Sequence, residues 1–553
     1  MLRSILFATI LFLTASESIS QVSFQWARRY STTSDDYAKI VKTDAAGNIY
    51  VAGTSRIFSS QGNYVVIKYN SAGTQLWATT YNHPANQDDR MMDMVLDASG
   101  NVYVAGWSRV NTSTGSTSEA VTLKISSSGA LLWASSYAQP NGWPASAEAI
   151  SIDGSGNVFI TGYSLTGPFE YDFLTIKYNS SGVQQWLRTK NGSAGLVDWA
   201  HCIATDAAGN VYVTGHSDGQ IYKRLGFSTV IIRTFYDYLT IKYDTNGNEL
   251  WQRTYNVSNG NDVPHSMKVT PDGTVYITGE GNGDMLTLKY NSAGTLQWAH
   301  NYYGSAGRDV GNAIVVDGTG AVFVAGMVTS NQTDYVTIKY NSSGTVQWAR
   351  YYNSPGNGYD VASAMSGDGY GNVYVTGRAA DNFYTIKYNT SGTQLWAVSY
   401  NAGYVDEGVS VSVYESSGPT YVPPVIYVAG NSQASGTGHD IALVKYTQPI
   451  VLGKQAVESG GTPLNGESLS VFPNPFNKST KVSYSISEAC NASLDVIDLS
   501  GKRVANIFTG KRLAGNYVET FSGSTLASGS YTIRLTRQNG RTARQQTVTV
   551  IKK

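Results

Sequence analysis

The sequence predicts an all-β protein, an eight-bladed β-propeller with four-stranded blades followed by a small β-sandwich domain. Three observations predict this fold. The 553-residue chain has 57 Gly and 39 Tyr but only 14 Pro, a balance typical of short strands and tight turns. A tryptophan recurs eight times at an average spacing of about 53 residues, the length of a four-stranded propeller blade. Two further sequence markers also recur eight times, in step with the tryptophan.

The three markers hold fixed positions in each repeat. The tryptophans are Trp26, Trp77, Trp133, Trp186, Trp251, Trp298, Trp348 and Trp396. The second marker, Gly-Asn-Val-Tyr-Val-Ala-Gly or a close relative, ends at Gly53, Gly106, Gly162, Gly215, Gly279, Gly326, Gly377 and Gly430. The third, Ile-Lys-Tyr or a variant, has its lysine at Lys68, Lys124, Lys177, Lys242, Lys289, Lys339, Lys387 and Lys445.

The spacing within a repeat predicts two hairpins. The step from the lysine to the next tryptophan is nine residues in all seven cases, with turns such as Asn70-Ser71-Ala72-Gly73 that tolerate positive φ. In six repeats an Asp stands nine residues before the marker glycine, which predicts the second hairpin. We name the four strands of a blade A, B, C and D. Strand A ends near this Asp, and strands B, C and D carry the glycine, lysine and tryptophan markers.

The two ends of the repeat region predict how the ring closes. Trp26 belongs to a lone D strand before the first A strand, while no tryptophan follows Lys445 in the last repeat. The N-terminal strand should therefore complete the eighth blade and leave no open edge. We place the propeller at residues 21–447. The repeat resembles the bacterial β-propeller repeat family, a resemblance that implies the fold and not an activity.

The N-terminal segment, residues 1–20, is typical of a secretory signal peptide. Arg3 gives a positive start, Ile5 to Leu13 is a short apolar run, and small residues stand at the expected cleavage positions. No later segment has the roughly 18 apolar residues that a membrane helix needs. The sequence therefore predicts an exported protein without a spanning helix.

A second module follows a linker at residues 448–467 and occupies residues 468–553. It carries short motifs whose main residues are Pro473, Asn474, Pro475, Phe476, Asn477, Asp498, Gly501, Gly515, Gly529 and Tyr531. These motifs, in this order, resemble the type A sorting domain of the type IX secretion system. The resemblance implies export through the outer membrane of a Gram-negative, Bacteroidota-type bacterium by the secretion translocon. It also implies removal of the module by a surface sortase, and release or attachment to surface lipopolysaccharide.

Charge and cysteine content exclude several classes of function. The 39 Lys+Arg balance the 39 Asp+Glu, which argues against a nucleic-acid partner. Two cysteines, Cys202 and Cys490, are too few for a disulfide framework and lie far apart in the sequence, and we expect both to be small buried side chains. The Cys and His content argues against an all-protein zinc site. We predict no cofactor, with one candidate for Ca²⁺.

That candidate is an Asp that stands eight residues before the end of strand A in seven of the eight repeats. These residues are Asp36, Asp89, Asp198, Asp262, Asp309, Asp360 and Asp406. A ring of carboxylates at one mouth of the channel could hold Ca²⁺. Alternatively, each carboxylate accepts backbone N–H bonds of its own blade-entry loop. Recurrence in nearly every blade favours the second interpretation. Similarly, Ser217 matches a Gly-x-Ser-x-Gly nucleophile motif, but a serine recurs there in other blades, so we expect no catalytic role.

Departures from the repeat indicate where a ligand would bind. Three tryptophans lie outside the D strands, and the longest B–C connection, Gly215 to Lys242, lies on the same predicted face. Aromatic rings grouped with cations and histidines suit a carbohydrate or protein ligand, although two of the tryptophans could merely cover loop ends. The candidate ligand-binding residues are Trp107, Trp143, Trp199, His216, Tyr222, Arg224, Arg233 and Phe235.

The sequence thus favours a secreted or cell-surface binding or adhesion module, with no catalytic residue that we can name. A polysaccharide hydrolase or lyase stays open, because such an enzyme needs only two carboxylates. A purely structural surface protein is the third possibility.

Overall fold

The computed structural model describes residues 22–552 except 33, 59–60, 114, 168–169, 193–195, 226–227, 259, 305–306, 331, 356–357, 417–421, 434–437, 449–468, 473, 475, 477, 499–500, 514, 525 and 540–541. The predicted signal peptide and nearly all of the predicted linker lie outside this range. The chain folds into two compact units. The first is Met1–Ser417 with Pro423–Pro449, and the second is Gly418–Val422 with Ile450–Lys553.

The first unit consists of four-stranded antiparallel sheets, eight of them within the described residues. The strands of blades 1–4 in chain order, after the N-terminal strand β1 (Ser23–Tyr30), are β2 Asp36–Thr43, β3 Ile49–Phe58, β4 Gln61–Tyr69, β5 Gln75–Tyr81, β6 Asp89–Leu96, β7 Val102–Thr112, β8 Gly115–Ile125, β9 Leu131–Tyr137, β10 Ala145–Ile152, β11 Val158–Gly167, β12 Glu170–Tyr178, β13 Gln184–Lys190, β14 Asp198–Thr205, β15 Val211–Leu225, β16 Ser228–Tyr243 and β17 Glu249–Tyr255. Those of blades 5–8 are β18 Asp262–Val269, β19 Val275–Gly281, β20 Asp284–Tyr290, β21 Leu296–Tyr302, β22 Val310–Val316, β23 Val322–Thr329, β24 Thr333–Tyr340, β25 Val346–Tyr352, β26 Val361–Gly367, β27 Val373–Ala379, β28 Asn382–Tyr388, β29 Gln394–Tyr400, β30 Asp406–Tyr414, β31 Val425–Gln433 and β32 His439–Thr447.

The N-terminal strand closes the ring as predicted. The last sheet has the order β1-β32-β31-β30, and β1 pairs with β32 from Ser23↔Thr447 to Tyr30↔Ile441. Neighbouring A strands lie against one another all the way round, including β2 against β30, so the A strands surround a central channel. The apolar core lies between blades, where for example Val65 of blade 1 packs with Leu443 of blade 8.

The two predicted hairpins have the predicted turns. In the A–B turn of blade 1, Asp44 Oδ1 accepts the backbone N–H groups of Ala46 and Asn48, while its Oδ2 accepts the Tyr50 hydroxyl. Gly47 in this turn has φ +79°, which a side chain would strain. In the C–D hairpin the marker lysine lies opposite the marker tryptophan, as Lys68 does opposite Trp77. The fixed spacing in the sequence therefore reflects a fixed register.

Neighbouring blades are joined by what we call the blade clamp, in which the marker lysine and tryptophan of one blade donate to one acceptor at the next. In blades 1–6 the indole Nε1 donates over 3.1 or 3.2 Å to a main-chain carbonyl in the next C–D turn. The lysine Nζ donates to the same carbonyl, as Lys68 does to Ser127 O at 3.0 Å. The repeated tryptophans are thus structural, as expected.

Blade 7 uses a different acceptor because blade 8 has no C–D turn. There Lys387 Nζ and Trp396 Nε1 both donate to Gln448 Oε1, at 2.6 and 3.2 Å. The Gln448 Nε2 in turn donates to Pro424 O and the Tyr374 hydroxyl. A side chain just after the last strand therefore replaces the main-chain carbonyl of the other clamps.

The second unit is also built from antiparallel strands. They are β33 Leu469–Phe472, β34 Ser479–Ile486, β35 Cys490–Ile497, β36 Arg503–Arg512, β37 Gly515–Ser522, β38 Gly529–Asn539 and β39 Thr542–Lys552. They form a sheet of order β33-β34-β37 and a sheet of order β36-β35-β38-β39. Their inner side chains, such as Val482, Leu494 and Ile533, share one buried core, which gives the small β-sandwich that the sequence predicts.

Candidate binding face at the channel mouth

The recurrent Asp residues at the start of the A strands anchor loops. All seven side chains are 0 or 1% exposed. Each Oδ2 accepts a backbone N–H of its own D–A connection over 2.5 to 2.9 Å. In Asp262, Asp309 and Asp360 the Oδ1 also accepts an N–H at the end of strand B. Each of the seven carboxylates therefore anchors its own blade-entry loop, as the second of our two interpretations expects. Among the described residues, no three His, Cys, Asp or Glu side chains are placed to hold a metal ion.

Two other sequence predictions concern single residues. The Gly-x-Ser-x-Gly segment lies inside β15, where Ser217 pairs with Asp237 of β16, and not on a strand-to-helix turn. Ser217 is also buried, which agrees with a structural role. Both cysteines are free thiols; Cys490 is buried as expected, but Cys202 is only partly buried. The expectation for Cys202 was wrong. Cys202 is only partly buried because it lies on a channel-lining strand rather than between blades.

Three positions at the D–A end of each blade do not repeat, and we call them the mouth positions. The residue after the recurrent Asp, or after Ala145 in blade 3, is Tyr37, Arg90, Ser146, Trp199, Val263, Val310, Val361 or Glu407 in blades 1 to 8. A β-bulge follows in every A strand, and its extra residue is Lys39, Met92, Glu148, His201, His265, Asn312, Ser363 or Val409. The residue after the marker glycine is Thr54, Trp107, Tyr163, His216, Glu280, Met327, Arg378 or Asn431. Side chains therefore vary here on a constant scaffold.

The mouth positions of blades 3 and 4 bring aromatic rings together in what we call the aromatic cluster. Its residues are Tyr163, Tyr171, Trp199, His201, His216 and Tyr236. The Trp199 ring lies 4.6 Å from Tyr163 in an edge-on arrangement and 6.2 Å from Tyr171 in a parallel one. His201 stacks on the same indole at 5.9 Å, and His216 contacts Tyr236 at 4.4 Å. Trp199 is partly exposed, while its Nε1 is buried without a hydrogen-bond partner among the described residues.

The two histidines of the cluster form a pair. His201 Nε2 and His216 Nδ1 are 2.8 Å apart and share one hydrogen bond. Burial lowers the pKa of His201 to about 3 and that of His216 to about 4, and the neighbouring His265 acts in the same direction. Both imidazoles are therefore neutral at pH 7, and the second ring nitrogen of each can donate or accept depending on the tautomer.

Polar groups continue from the cluster into blades 5–7. Arg308 donates from Nε and Nη2 to Glu280 Oε2, at 2.9 and 2.6 Å. Both of these groups act on the pKa of His265, which burial lowers. The Tyr359 phenol acts on Arg308, whose pKa is raised chiefly by its bond to Glu280. Arg378 lies 6.0 Å from the Tyr359 ring centroid.

The predicted ligand-binding residues divide into three groups: those of the aromatic cluster, the two tryptophans outside it, and those of the long B–C connection of blade 4. Trp199 and His216 are brought together as a register pair of β14 and β15. Trp107 instead lies in blade 2, with Arg90 at 5.4 Å from its ring, and Trp143 lies partly buried on the connection from β9 to β10. All four are on the face of the propeller that carries the D–A connections, as predicted. Only the first two belong to the aromatic cluster.

The long B–C connection of blade 4 is a β-hairpin rather than a loop. Its strands β15 and β16 stay paired out to Leu225↔Ser228. Tyr222, Arg224 and Arg233 lie in its outer half, and their side chains are outside the part of the chain that the structure describes. Phe235 was wrongly expected to be a surface aromatic residue: it is 5% exposed, because it stands where the hairpin joins the blade.

Exposed tyrosines on the same face were missed by the sequence analysis. Tyr303, Tyr359 and Tyr404 are 73, 56 and 56% exposed, and they lie on three successive D–A connections. Because the chain has 39 tyrosines, most of them in strands, composition alone did not mark these three. A comparison of the repeats position by position would have placed them outside the strands.

The predicted motif residues of the second unit have structural roles where they are described. Phe476 is 1% exposed and contacts Phe521 at 6.0 Å. The Asp498 carboxylate accepts the Lys502 N–H, and Gly501 in this turn has φ +85°. The Tyr531 hydroxyl donates to Ala527 O. Gly515 and Gly529 begin β37 and β38, and Asn474 is exposed. Pro473, Pro475 and Asn477 lie outside the described residues.

Comparisons with known proteins agree with both units. Residues 470–550 match the family described as "Secretion system C-terminal sorting domain", and residues 192–223 match the family described as "Beta-propeller repeat". No curated protein matches the sequence. The part of the chain that the structure describes has no helix long and apolar enough to span a bilayer.

Several solved structures resemble the chain at low identity. A fungal alcohol oxidase of the AA5 family in complex with copper is 13% identical over 83% of this chain and 96% of its own, with a TM-score of 0.34. A protein of unknown function from Dyadobacter fermentans is 10% identical over 77% and 99%, with a TM-score of 0.36. A protein from Lactobacillus plantarum is 12% identical over 86% and 99%, with a TM-score of 0.36. From its blades, its repeat and its C-terminal module, the chain is a secreted or cell-surface β-propeller repeat protein with a C-terminal sorting domain of the type IX secretion system.

Proposed function

We propose that the propeller is a binding module and that its ligand is a carbohydrate seated on the aromatic cluster. The observation that carries the proposal is the cluster itself. Rings from β11, β12, β14, β15 and β16 meet at positions where most other blades carry residues without an aromatic ring. Because the scaffold repeats without these rings, the fold does not require them there.

The chemistry of the cluster suits a sugar. Sugars present C–H faces that pack on aromatic rings and hydroxyl groups that both donate and accept hydrogen bonds. The cluster offers the partly exposed Trp199 indole, the neutral His201 and His216 pair and the Tyr236 ring. All of these groups are neutral, so they can bind a ligand that carries no net charge.

The C-terminal module supplies delivery rather than binding in this proposal. It would be read by the translocon and removed by the surface sortase, leaving the propeller released or attached to lipopolysaccharide. We expect deletion of residues 468–553 to keep the protein in the periplasm of a host with type IX secretion while the purified propeller retains its ligand affinity. Surface delivery of the deleted chain would contradict this assignment.

The ligand is tested with the full chain on a glycan array, followed by titration calorimetry on the best glycan. We expect Trp199→Ala to weaken binding at least about tenfold, and Trp199→Phe to weaken it less because a ring remains. Tyr370→Ala is the control, since Tyr370 is an aromatic residue 41% exposed on the opposite face, in an A–B turn. Equal affinity of Trp199→Ala and wild type would refute the proposed site.

The same samples separate the alternatives left open by the sequence. Release of reducing ends from a bound polysaccharide would favour a hydrolase, and release of unsaturated products would favour a lyase. Binding of a protein but of no glycan on the array would replace the carbohydrate by a protein ligand. With neither binding nor turnover, a structural role would stand.

A further inference from the structure

We infer that the ligand is an extended, uncharged polysaccharide chain that runs from the aromatic cluster round the mouth to Tyr404, and not a single sugar. This inference rests on the proposed function and adds the size and charge of the ligand. It comes from the exposed tyrosines of blades 5–8 and from the polar groups that join them to the cluster.

The three tyrosines lie on successive D–A connections, Tyr303 directly after a D strand and Tyr359 and Tyr404 just before an A strand. Tyr303 lies on the connection from β21 to β22, Tyr359 on that from β25 to β26, and Tyr404 on that from β29 to β30. Each leaves more than half of its side chain exposed, although apolar rings of this size are costly to leave in water. Successive aromatic side chains along one face suit a ligand that itself repeats.

The loops that carry these tyrosines are held in place. Asp309 Oδ2 accepts the N–H of Gly304, next to Tyr303, at 2.7 Å. Asp360, next to Tyr359, accepts from Ser354, and Asp406 accepts from Ala402, two residues before Tyr404. These bonds restrain described residues close to each tyrosine, which reduces the conformational entropy lost on binding.

The groups between the cluster and the tyrosines are neighbours. His265 lies on β18, the A strand that packs beside β14, and it lowers the pKa of both His201 and His216. Glu280 and Arg308 follow, and Tyr359 lies beside Arg308 and Arg378. The series therefore runs through blades 4, 5, 6 and 7, and Tyr404 extends it to the entry of blade 8.

The two arginines along this series are each paired with a carboxylate. Arg308 is held by Glu280, and Arg378 donates to Asp381 Oδ1 at 2.5 Å. On the other side of the mouth Arg90 is held by Asp88. An acidic polymer would have to compete with these carboxylates for the arginines. An uncharged chain leaves the pairs intact, so the arrangement favours a neutral polysaccharide.

The test is titration calorimetry of the full chain with dimers to hexamers of β-1,4-glucose, β-1,4-xylose, β-1,3-glucose and N-acetylglucosamine, with alginate oligomers as the anionic arm. We expect affinity for one neutral series to rise at least about tenfold from dimer to hexamer. The triple variant Tyr303→Ala, Tyr359→Ala, Tyr404→Ala should lose this rise and keep the affinity for the dimer. Trp199→Ala should weaken both, and Tyr370→Ala neither.

The outcomes distinguish the extended neutral chain inferred here from the binding module on which it rests. Equal binding of dimer and hexamer, a rise that persists in the triple variant, or preference for alginate would overturn the extended neutral chain and leave the binding module standing. Absence of binding to every sugar would overturn both. Because the tyrosines are exposed, the triple variant should melt within about 1 °C of wild type, and the melting curve checks that loss of binding is not loss of folding.

Discussion

Replacing Gln448 by alanine removes the acceptor of the blade 7 clamp and provides a direct test of how the ring is held. Lys387 and Trp396 are 6 and 5% exposed, so both donors would stay buried without a hydrogen-bond acceptor, and Lys387 would keep only Asp368 Oδ2 at 4.0 Å. Each buried unsatisfied donor costs about 1–3 kcal/mol, and more when it is charged. Burial already lowers the pKa of Lys387 to about 8, against the opposing effect of Asp368. We therefore expect a loss of about 2–4 kcal/mol in the free energy of unfolding.

The assay is thermal unfolding followed by tryptophan fluorescence, because all 11 tryptophans lie in residues 26–396 and none in the C-terminal module. An unfolding entropy of about 2.1 cal/mol/K per residue, summed over the propeller, converts the loss into a decrease of about 2–4 °C in melting temperature. Gln433→Ala is the control, since Gln433 lies in the same blade outside any clamp. Lys387→Met should reduce the cost of Gln448→Ala, because it removes the stranded charge.

A melting temperature of Gln448→Ala equal to that of Gln433→Ala would refute the clamp as a stabilising interaction. The dependence on pH gives a second check. The folded pKa of Lys387, about 8, lies below its unfolded value of about 10.4. The unfolded chain thus binds more protons between these values, and stability relative to Lys387→Met should rise as pH increases from about 8 to 10. A fall over this range would contradict the assignment.

Three further predictions follow from the structure. Asp360→Ala leaves the N–H groups of Ser354 and Ala380 without their acceptor and should lower the free energy of unfolding in denaturant by about 2–4 kcal/mol. EDTA should leave the wild-type melting temperature unchanged, and a drop caused by EDTA would support calcium as a ligand. The pKa values of His201 and His216, about 3 and 4, lie below the unfolded value of about 6.5, so their contribution to stability is complete above pH 6.5 and is lost as pH falls. Between pH 7 and pH 4 the wild type should lose about 2 kcal/mol or more of unfolding free energy relative to the double variant His201→Phe, His216→Phe. Parallel pH profiles of the two proteins would disprove this. Phe476→Ala empties a fully buried site in the C-terminal module and should lower the free energy of unfolding by about 3–5 kcal/mol. We therefore expect a host with type IX secretion to retain this variant inside the cell. Val504→Ala, at an exposed position, is the control that should still be exported.

The repeat made the fold predictable, because a fixed spacing from Lys68 to Trp77 requires a fixed register, and the lone strand around Trp26 requires a partner. The candidate site was only partly predictable. Trp199 and His216 stood out as a rare residue type and a motif. His201, Tyr163 and Tyr171 did not, because their proximity depends on a β-bulge and on how blade 3 packs against blade 4. Phe235 was misplaced because the sequence does not show how far β15 and β16 stay paired.

Ring closure by β1 also determines how the propeller carries load. In the order β1-β32-β31-β30 the N-terminal strand is at the edge, while β32, which leads to the C-terminal module, is paired on both sides. Tension on the C-terminal end is therefore shared between two hydrogen-bonded ladders, with Arg29 bound to Asp440 across one of them at 2.6 Å. Tension on the N-terminal end has only one ladder to resist it. A propeller pulled from its C-terminal side while the mouth holds a ligand would thus be loaded through its better-supported end.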